Sequence, residues 1–215
     1  MFKGYPRFDL IDLHLHHEGK LWKRERSEDN FRIIWTPRWT TDPKLGGSNF
    51  FHYKDKILEY ARTHKNVELL FRPHPMAFEN YVAQGLMSSE DVEAYSRQYA
   101  ELSNAVLDQT VNYYDTFFSS DVLISDPSSV TLDYLFTGKP IIYCPSSLKA
   151  YEVNEDLMEC YYVAETFEEV IKMVDQLQNG DDPKKKIRDQ MVKKLKRDGK
   201  IGQDIIKYIK DDYWK

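Results

Sequence analysis

The 215 residues are 41% hydrophobic and 14% aromatic, and carry a formal net charge of −5. That apolar content builds a packed core and excludes a disordered chain, while the acidic balance excludes nucleic acid as the partner of the molecule as a whole. Two cysteines, Cys144 and Cys160, are too few for a disulfide framework, and neither has metal-ligand spacing around it.

Residues 1–29, "MFKGYPRFDLIDLHLHHEGKLWKRERSED", match no regular element of the later pattern and end in a charged run. They read as a connector. Within them "IDLHLHH" invites a metal reading, since His14 and His16 fall on one side of an extended chain. We set it aside: beyond this cluster only His52, His64 and His74 remain, two of them on an expected helix, and the chain is short for a complete (β/α)₈ barrel. No metal and no cofactor is expected.

From residue 30 onward strand and helix patterns alternate. "FRIIW" (31–35) reads as a buried strand and 49–65 as a helix; "VELLF" (67–71) is the next strand, stopped by Pro73-His74-Pro75. Ser88 and Asp91 resemble a capping box that opens a helix to about Ser103. A short strand at 105–108 leads to an aromatic helix at 112–118, and strands at 121–124 and 140–144 flank a short helix rich in Val130, Leu132, Leu135 and Phe136. A last strand is expected at 160–164, with Thr166 capping the helix after it, another helix starting at Asp182-Pro183, and a final one over 201–214. Strands separated by helices call for parallel crossovers, so residues 30–215 are expected to form one α/β domain with a doubly wound, Rossmann-like parallel sheet. Residues 184–200 hold nine Lys/Arg against two Asp/Glu, a local +7. This run reads as a solvated helix face, with peripheral contact to an anionic membrane surface as the alternative. No apolar run approaches the ~20 residues that cross a bilayer, and no secretory signal is seen, so a cytoplasmic protein is expected, with the inner face of the membrane left open as a peripheral station.

In open α/β sheets ligands sit at the carboxyl ends of strands. Three loops occupy such ends: "TPRWTTDPKLGGSN" with Thr36 and Arg38, "RPHP" with Arg72 and His74, and "SDPSSV" with Ser128 and Ser129. The third is chemically the best suited. Pro127 ends the strand, and a helix starting there leaves first-turn N–H groups without partners beside two hydroxyls, a combination that takes an anion such as a pyrophosphate. Asp133 lies one turn on, within reach of a ribose hydroxyl. Ser and Asp are equally ordinary helix caps. An imidazole fixed between two prolines is not placed for core packing, and its cationic form is favoured beside a phosphate. Arg72 either joins it or pairs with a local carboxylate.

The ordered set "GYPRFD", "IIWTPRWT", "RPHP" and "SDPSSVTLDYLFTGKPIIY" resembles the CDP-glycerol glycerophosphotransferases of teichoic-acid and capsule synthesis, over about residues 4–151. The resemblance implies a GT-B fold, with this chain as the donor-binding C-terminal half and an N-terminal acceptor domain missing from it. It implies that His74 contacts the donor pyrophosphate as the catalytic residue, that Ser128 and Ser129 hold the phosphates, and that Asp133 binds the ribose, with Asp108 to Asn112 near the base. Two positions depart from the pattern: Pro127 stands where a tyrosine is usual, and Arg38 where threonine is common. The implied donor is CDP-glycerol, the implied acceptor a polyol-phosphate or glycan hydroxyl. A nucleotide-sugar glycosyltransferase of the same fold and a non-catalytic interaction module stay open.

Overall fold

The structure is a computed structural model, and it describes residues 6–11, 21–146, 155–195 and 200–213. His14 and His16 lie outside the described residues.

Six strands form one all-parallel sheet: β1 (Phe31–Thr36), β2 (Val67–Phe71), β3 (Ala105–Leu107), β4 (Val122–Ser125), β5 (Ile141–Tyr143) and β6 (Tyr162–Val163), in the order β3-β2-β1-β4-β5-β6. The expected doubly wound sheet is present. Its strands are near-continuous apolar runs because both faces are covered. Ile33, Trp35, Leu69, Phe71 and Ile124 face one core, and Ile34, Leu70, Leu123, Ile141 and Tyr143 the other.

On the first face lie α2 (Phe50–Thr63), α3 (Ala77–Ala83), α4 (Ser89–Glu101) and α8 (Phe167–Gln178), which contribute Phe50, Tyr81, Tyr95 and Val170. On the second lie α5 (Tyr114–Ser119), α6 (Val130–Leu135), α7 (Glu155–Met158) and α9 (Lys185–Leu195). A short α1 (Phe8–Ile11) packs with α10 (Ile201–Tyr213), where Phe8, Phe136 and Ile201 form a small third cluster. The capping box of Ser88 and Asp91 is made in both directions, at 3.0 and 2.8 Å, and Thr166 accepts from the Glu169 N–H. Asp182 behaves otherwise than expected. Its carboxylate leaves the start of α9 and takes the Tyr162 hydroxyl at 2.7 Å and the buried Arg188 guanidinium. The basic run is therefore partly internal at Arg188, which also donates to the Gly138 carbonyl, while Lys194 meets Asp156 on the surface. No helix among the described residues is long and apolar enough to cross a membrane.

Residues 21–29, part of the expected connector, pack against the amino edge of the sheet. Trp22 is buried there, and Arg26 forms a two-pronged pair with Asp121 at 2.7 and 2.6 Å. Glu68 on β2 is buried beside its register partner Arg32 on β1 and bonds the Arg32 Nε at 3.1 Å, while the backbone N–H of Arg24 donates to its other oxygen. A buried carboxylate is tolerated only with such compensation. Replacing Arg32 by Met is expected to cost about 3 kcal/mol in chemical denaturation. The double change Arg32→Met with Glu68→Leu should cost less than the single one, because the buried carboxylate is then gone and Arg24, its other cation, is part-exposed and keeps the Lys65 and Val67 carbonyls.

Candidate functional site

Strand order reverses between β1 and β4, whose carboxyl ends lie side by side with Thr36 opposite Ser125. Connections leaving these two strands run to opposite sides, which opens a crevice at this point. A cavity of about 480 Å³ occupies it, lined by Pro37, Arg38, Trp39 and His74 on one side and by Pro127, Ser128, Ser129, Thr131, Leu132, Leu157 and Tyr161 on the other. The lining offers a guanidinium, an imidazole and four hydroxyls, and no carboxylate, in a chain with net negative charge. Such a lining suits an anion.

Asp126, the residue after β4, builds the crevice from behind. It is buried, and its two oxygens accept four bonds: from the Arg38 N–H at 2.8 Å, the Asn49 N–H at 3.0 Å, the Asn49 side-chain amide at 2.8 Å and the Ser48 hydroxyl at 3.0 Å. Burial pushes its pKa up, and those donors pull against the rise. They also bind the loop after β1 and the start of α2 to the end of β4. The same loop is held from α3, where Tyr81 donates to the Arg38 carbonyl at 2.8 Å and Asn80 to that of Trp39 at 3.0 Å. Gly46 and Gly47 both have positive φ and turn this loop. A side chain on Gly47 would press on Ser146 at 3.3 Å, so the pair shapes the loop. The Arg38 side chain reaches across the crevice to the Pro127 carbonyl at 2.8 Å.

Ser128 and Ser129 are exposed at the mouth. The Ser128 hydroxyl accepts from the Val130 N–H at 3.3 Å, which leaves its proton for a ligand. His74 is exposed across from them. Its Nδ1 accepts the Met76 N–H at 3.2 Å, so the neutral ring carries its proton on Nε2. Partial burial lowers the His74 pKa, which favours the neutral ring with its Nε2–H as a donor. Burial raises the Tyr161 phenol to about 12.

The crevice thus brings together Arg38, His74, Ser128 and Ser129. The other candidates lie elsewhere. Thr36 is buried and outside the lining, and its hydroxyl has no partner among the described residues. Arg72 pairs with Asp108, donates to the Thr110 carbonyl at 2.7 Å and lies over the Tyr113 ring. Asp108 is buried in that pair, and Asn112 is exposed and accepts the Tyr114 N–H at 3.1 Å. Asp133 is buried against Arg7 and Tyr113. Asp126, Trp39 and Tyr161 are site residues that pattern reading passed over. Only Asp126 had a local signal, the Asp-Pro step that closes a strand.

Fold and crevice together define a Rossmann-like α/β domain with a carboxylate-free, polar crevice at its topological switch point. The sequence profile of the CDP-glycerol:poly(glycerophosphate) glycerophosphotransferase family matches residues 1–211, and the chain belongs to that family. It is 24% identical over 161 residues to the minor teichoic acid biosynthesis protein GgaB of Bacillus subtilis, covering 65% of this chain and 15% of that protein. Among solved structures, the fold is similar to the wall teichoic acid polymerase TagF, with a TM-score of 0.53 at 21% identity over 95% of this chain and 47% of the other. It is also similar to S. aureus MnaA in complex with UDP, with a TM-score of 0.61 at 13% identity over 97% and 53%. The chain thus spans about half of each solved relative and a smaller part of GgaB.

Asp126→Asn turns an amide NH₂ toward groups that are themselves donors. It is expected to lower stability by about 3 kcal/mol, seen as a shifted denaturation midpoint with an unchanged slope.

Proposed function

We propose that this chain is the donor-binding part of a transferase that moves glycerol phosphate from CDP-glycerol to an acceptor hydroxyl during synthesis of a cell-surface polymer. The observation that carries the reading is the crevice at the strand-order reversal, where Arg38, His74, Ser128 and Ser129 converge with no carboxylate among the lining residues. Family membership supplies the donor class. A TagF structure soaked with CDPG, with a TM-score of 0.50 at 20% identity over 99% of this chain and 50% of the other, supports the same choice.

In the proposed reaction the acceptor oxygen attacks the phosphorus that carries glycerol. The bond from that phosphorus to the oxygen bridging to CMP breaks, and CMP leaves with the electron pair. A protein assists such a transfer by holding the groups in line and by stabilising charge on the departing phosphate. Nε2–H of His74 is available for that phosphate even while the ring is neutral, and the anion's field draws a second proton onto the ring. Ser128 and Ser129 donate from the opposite wall, and Arg38 supplies permanent positive charge. The imidazole of His74 is assigned here to the departing phosphate, so we place the general base on the part of the enzyme that carries the acceptor, outside these residues. Asp133, Asp108 and Asn112 have no ligand role in this reading, since their polar groups are occupied by neighbours or lie away from the crevice.

Titration of the chain with CMP, CDP-glycerol, UDP and GDP tests the donor class. Tighter binding of the two cytidine compounds is expected, and equal or tighter binding of UDP or GDP would move the reading to a nucleotide-sugar enzyme. His74→Ala should weaken CMP binding roughly 10-fold, the scale of one hydrogen bond to a charged group. Because bound phosphate raises a pKa that burial lowers in the free protein, binding takes up a proton. Affinity therefore falls as pH rises through the range about 6.5, and the His74→Ala variant loses that component. The chain alone is expected to bind donor and show little or no transfer; robust turnover would contradict the placement of the base.

A further inference from the structure

Residues 6–11 make charged contacts on two helices. Asp9 accepts the first N–H groups of α10, from Ile201 at 3.1 Å and Gly202 at 2.7 Å, and Phe8 stacks on Phe136 just beyond α6. Between them and α6, Arg7 Nη1 donates to Asp133 Oδ2 at 2.7 Å. The Asp133 side chain is wholly buried, whereas that of Arg7 is 49% exposed. The same oxygen takes the Tyr113 hydroxyl at 2.7 Å, and Oδ1 has no hydrogen-bond partner among the described residues. Arg7 is therefore the charge partner of a carboxylate buried inside the helix whose start carries Ser128 and Ser129. On its other side Tyr113 lies under the Arg72 guanidinium, 5.0 Å from the ring centre, and Arg72 stands two residues before His74. Arg7, Asp133, Tyr113 and Arg72 thus form a continuous line of contacts joining the two walls of the crevice.

We propose that Arg7 is a positioning residue for the crevice: by compensating Asp133 it holds α6 and, through Tyr113 and Arg72, the His74 loop in the arrangement that surrounds one anion. The consequence for ligand binding rests on the phosphate reading above; the mechanical coupling does not. A buried carboxylate deprived of its cation must take up a proton or draw in water, and either outcome loosens the helix that carries it. Removing the charge as well as the cation removes that demand.

The test is amide hydrogen exchange with mass spectrometry on the full chain, with CMP titration in parallel. In Arg7→Met, exchange across 127–136 and 72–76 should rise about tenfold, while α8 across the sheet stays as in the unaltered protein. CMP affinity should fall by a similar factor. The variant Arg7→Met with Asp133→Asn should recover both readouts to within about threefold, a rescue that a merely structural strap would not show. Unchanged exchange in both segments, or a loss that the double variant fails to recover, overturns the proposal. Should Arg7→Met fail to fold, Tyr113→Phe decides: about threefold faster exchange in both segments supports the coupling, and no change overturns it. If the unaltered chain binds no CMP, the phosphate reading falls while the exchange data still decide the role of Arg7.

Discussion

A single carboxylate placed where no water reaches it sets the shape of the functional edge. Asp126 follows β4 at the point where the sheet changes direction, and it converts a problem of topology into a fixed geometry. The chain leaving β1 runs thirteen residues before α2 begins. A loop of that length has many conformations, and closing it costs entropy. Asp126 meets that cost with four bonds to donors from both ends of the loop. The arrangement is self-consistent only with the carboxylate present, since every partner presents a donor. Its charge is saturated on the protein side, and the crevice in front is lined by one guanidinium, an imidazole and hydroxyls.

The two edges of the sheet use buried charge differently. At the amino edge, charged groups pair with one another or with carbonyls: Glu68 with Arg32, Asp121 with Arg26, and Lys139 with the carbonyls of Phe118 and Ser120. Burial depresses the Lys139 pKa to about 8, the sign of an ammonium group given up to structure. Of these groups, Asp121 through Arg26 and Glu68 through the Arg24 N–H fasten residues 21–29 to the domain. At the carboxyl edge, Asp126 serves structure while the exposed His74 and the two serines face the crevice, with Arg38 bonded across it to the Pro127 carbonyl. The sheet thus keeps the groups buried for folding apart from the exposed groups that a ligand can reach.

This separation explains what could be read in advance. Parallel strands covered on both faces leave apolar runs such as "FRIIW" and "VELLF" that need no partner to be recognised, and their alternation with helices gave the doubly wound sheet. β6 shrank to Tyr162–Val163, an edge strand paired only with Ile142 and Tyr143 of the short β5, with Val163 exposed. α3 was passed over, since it follows Pro75 with no cap that a side chain announces. Loops at strand ends were legible as a set, and three of them do line one crevice or support it. What could not be read was which polar residues are already engaged. Arg72 with Asp108, and Arg7 with Asp133, are separated by 36 and 126 positions. A lone sequence shows each as a charge and says nothing of the partner that occupies it.

The segment "PRFD" shows why two opposite charges spaced two apart make a sound anchor. Arg7 meets a carboxylate, and Asp9 meets the amino end of α10, where unpaired N–H groups and the helix dipole favour an anion. Each charge finds its complement, with Phe8 between them inserted against Phe136 and Ile201. Sliding the segment by two positions would set Asp9 against the buried Asp133, and turning it over would present Arg7 to a helix start. Both alternatives are repulsive, and the first repulsion falls in a site without water to screen it. The register of the strap is thus chosen by what it excludes as much as by what it binds, and α6 inherits a fixed position from a contact made well outside the crevice.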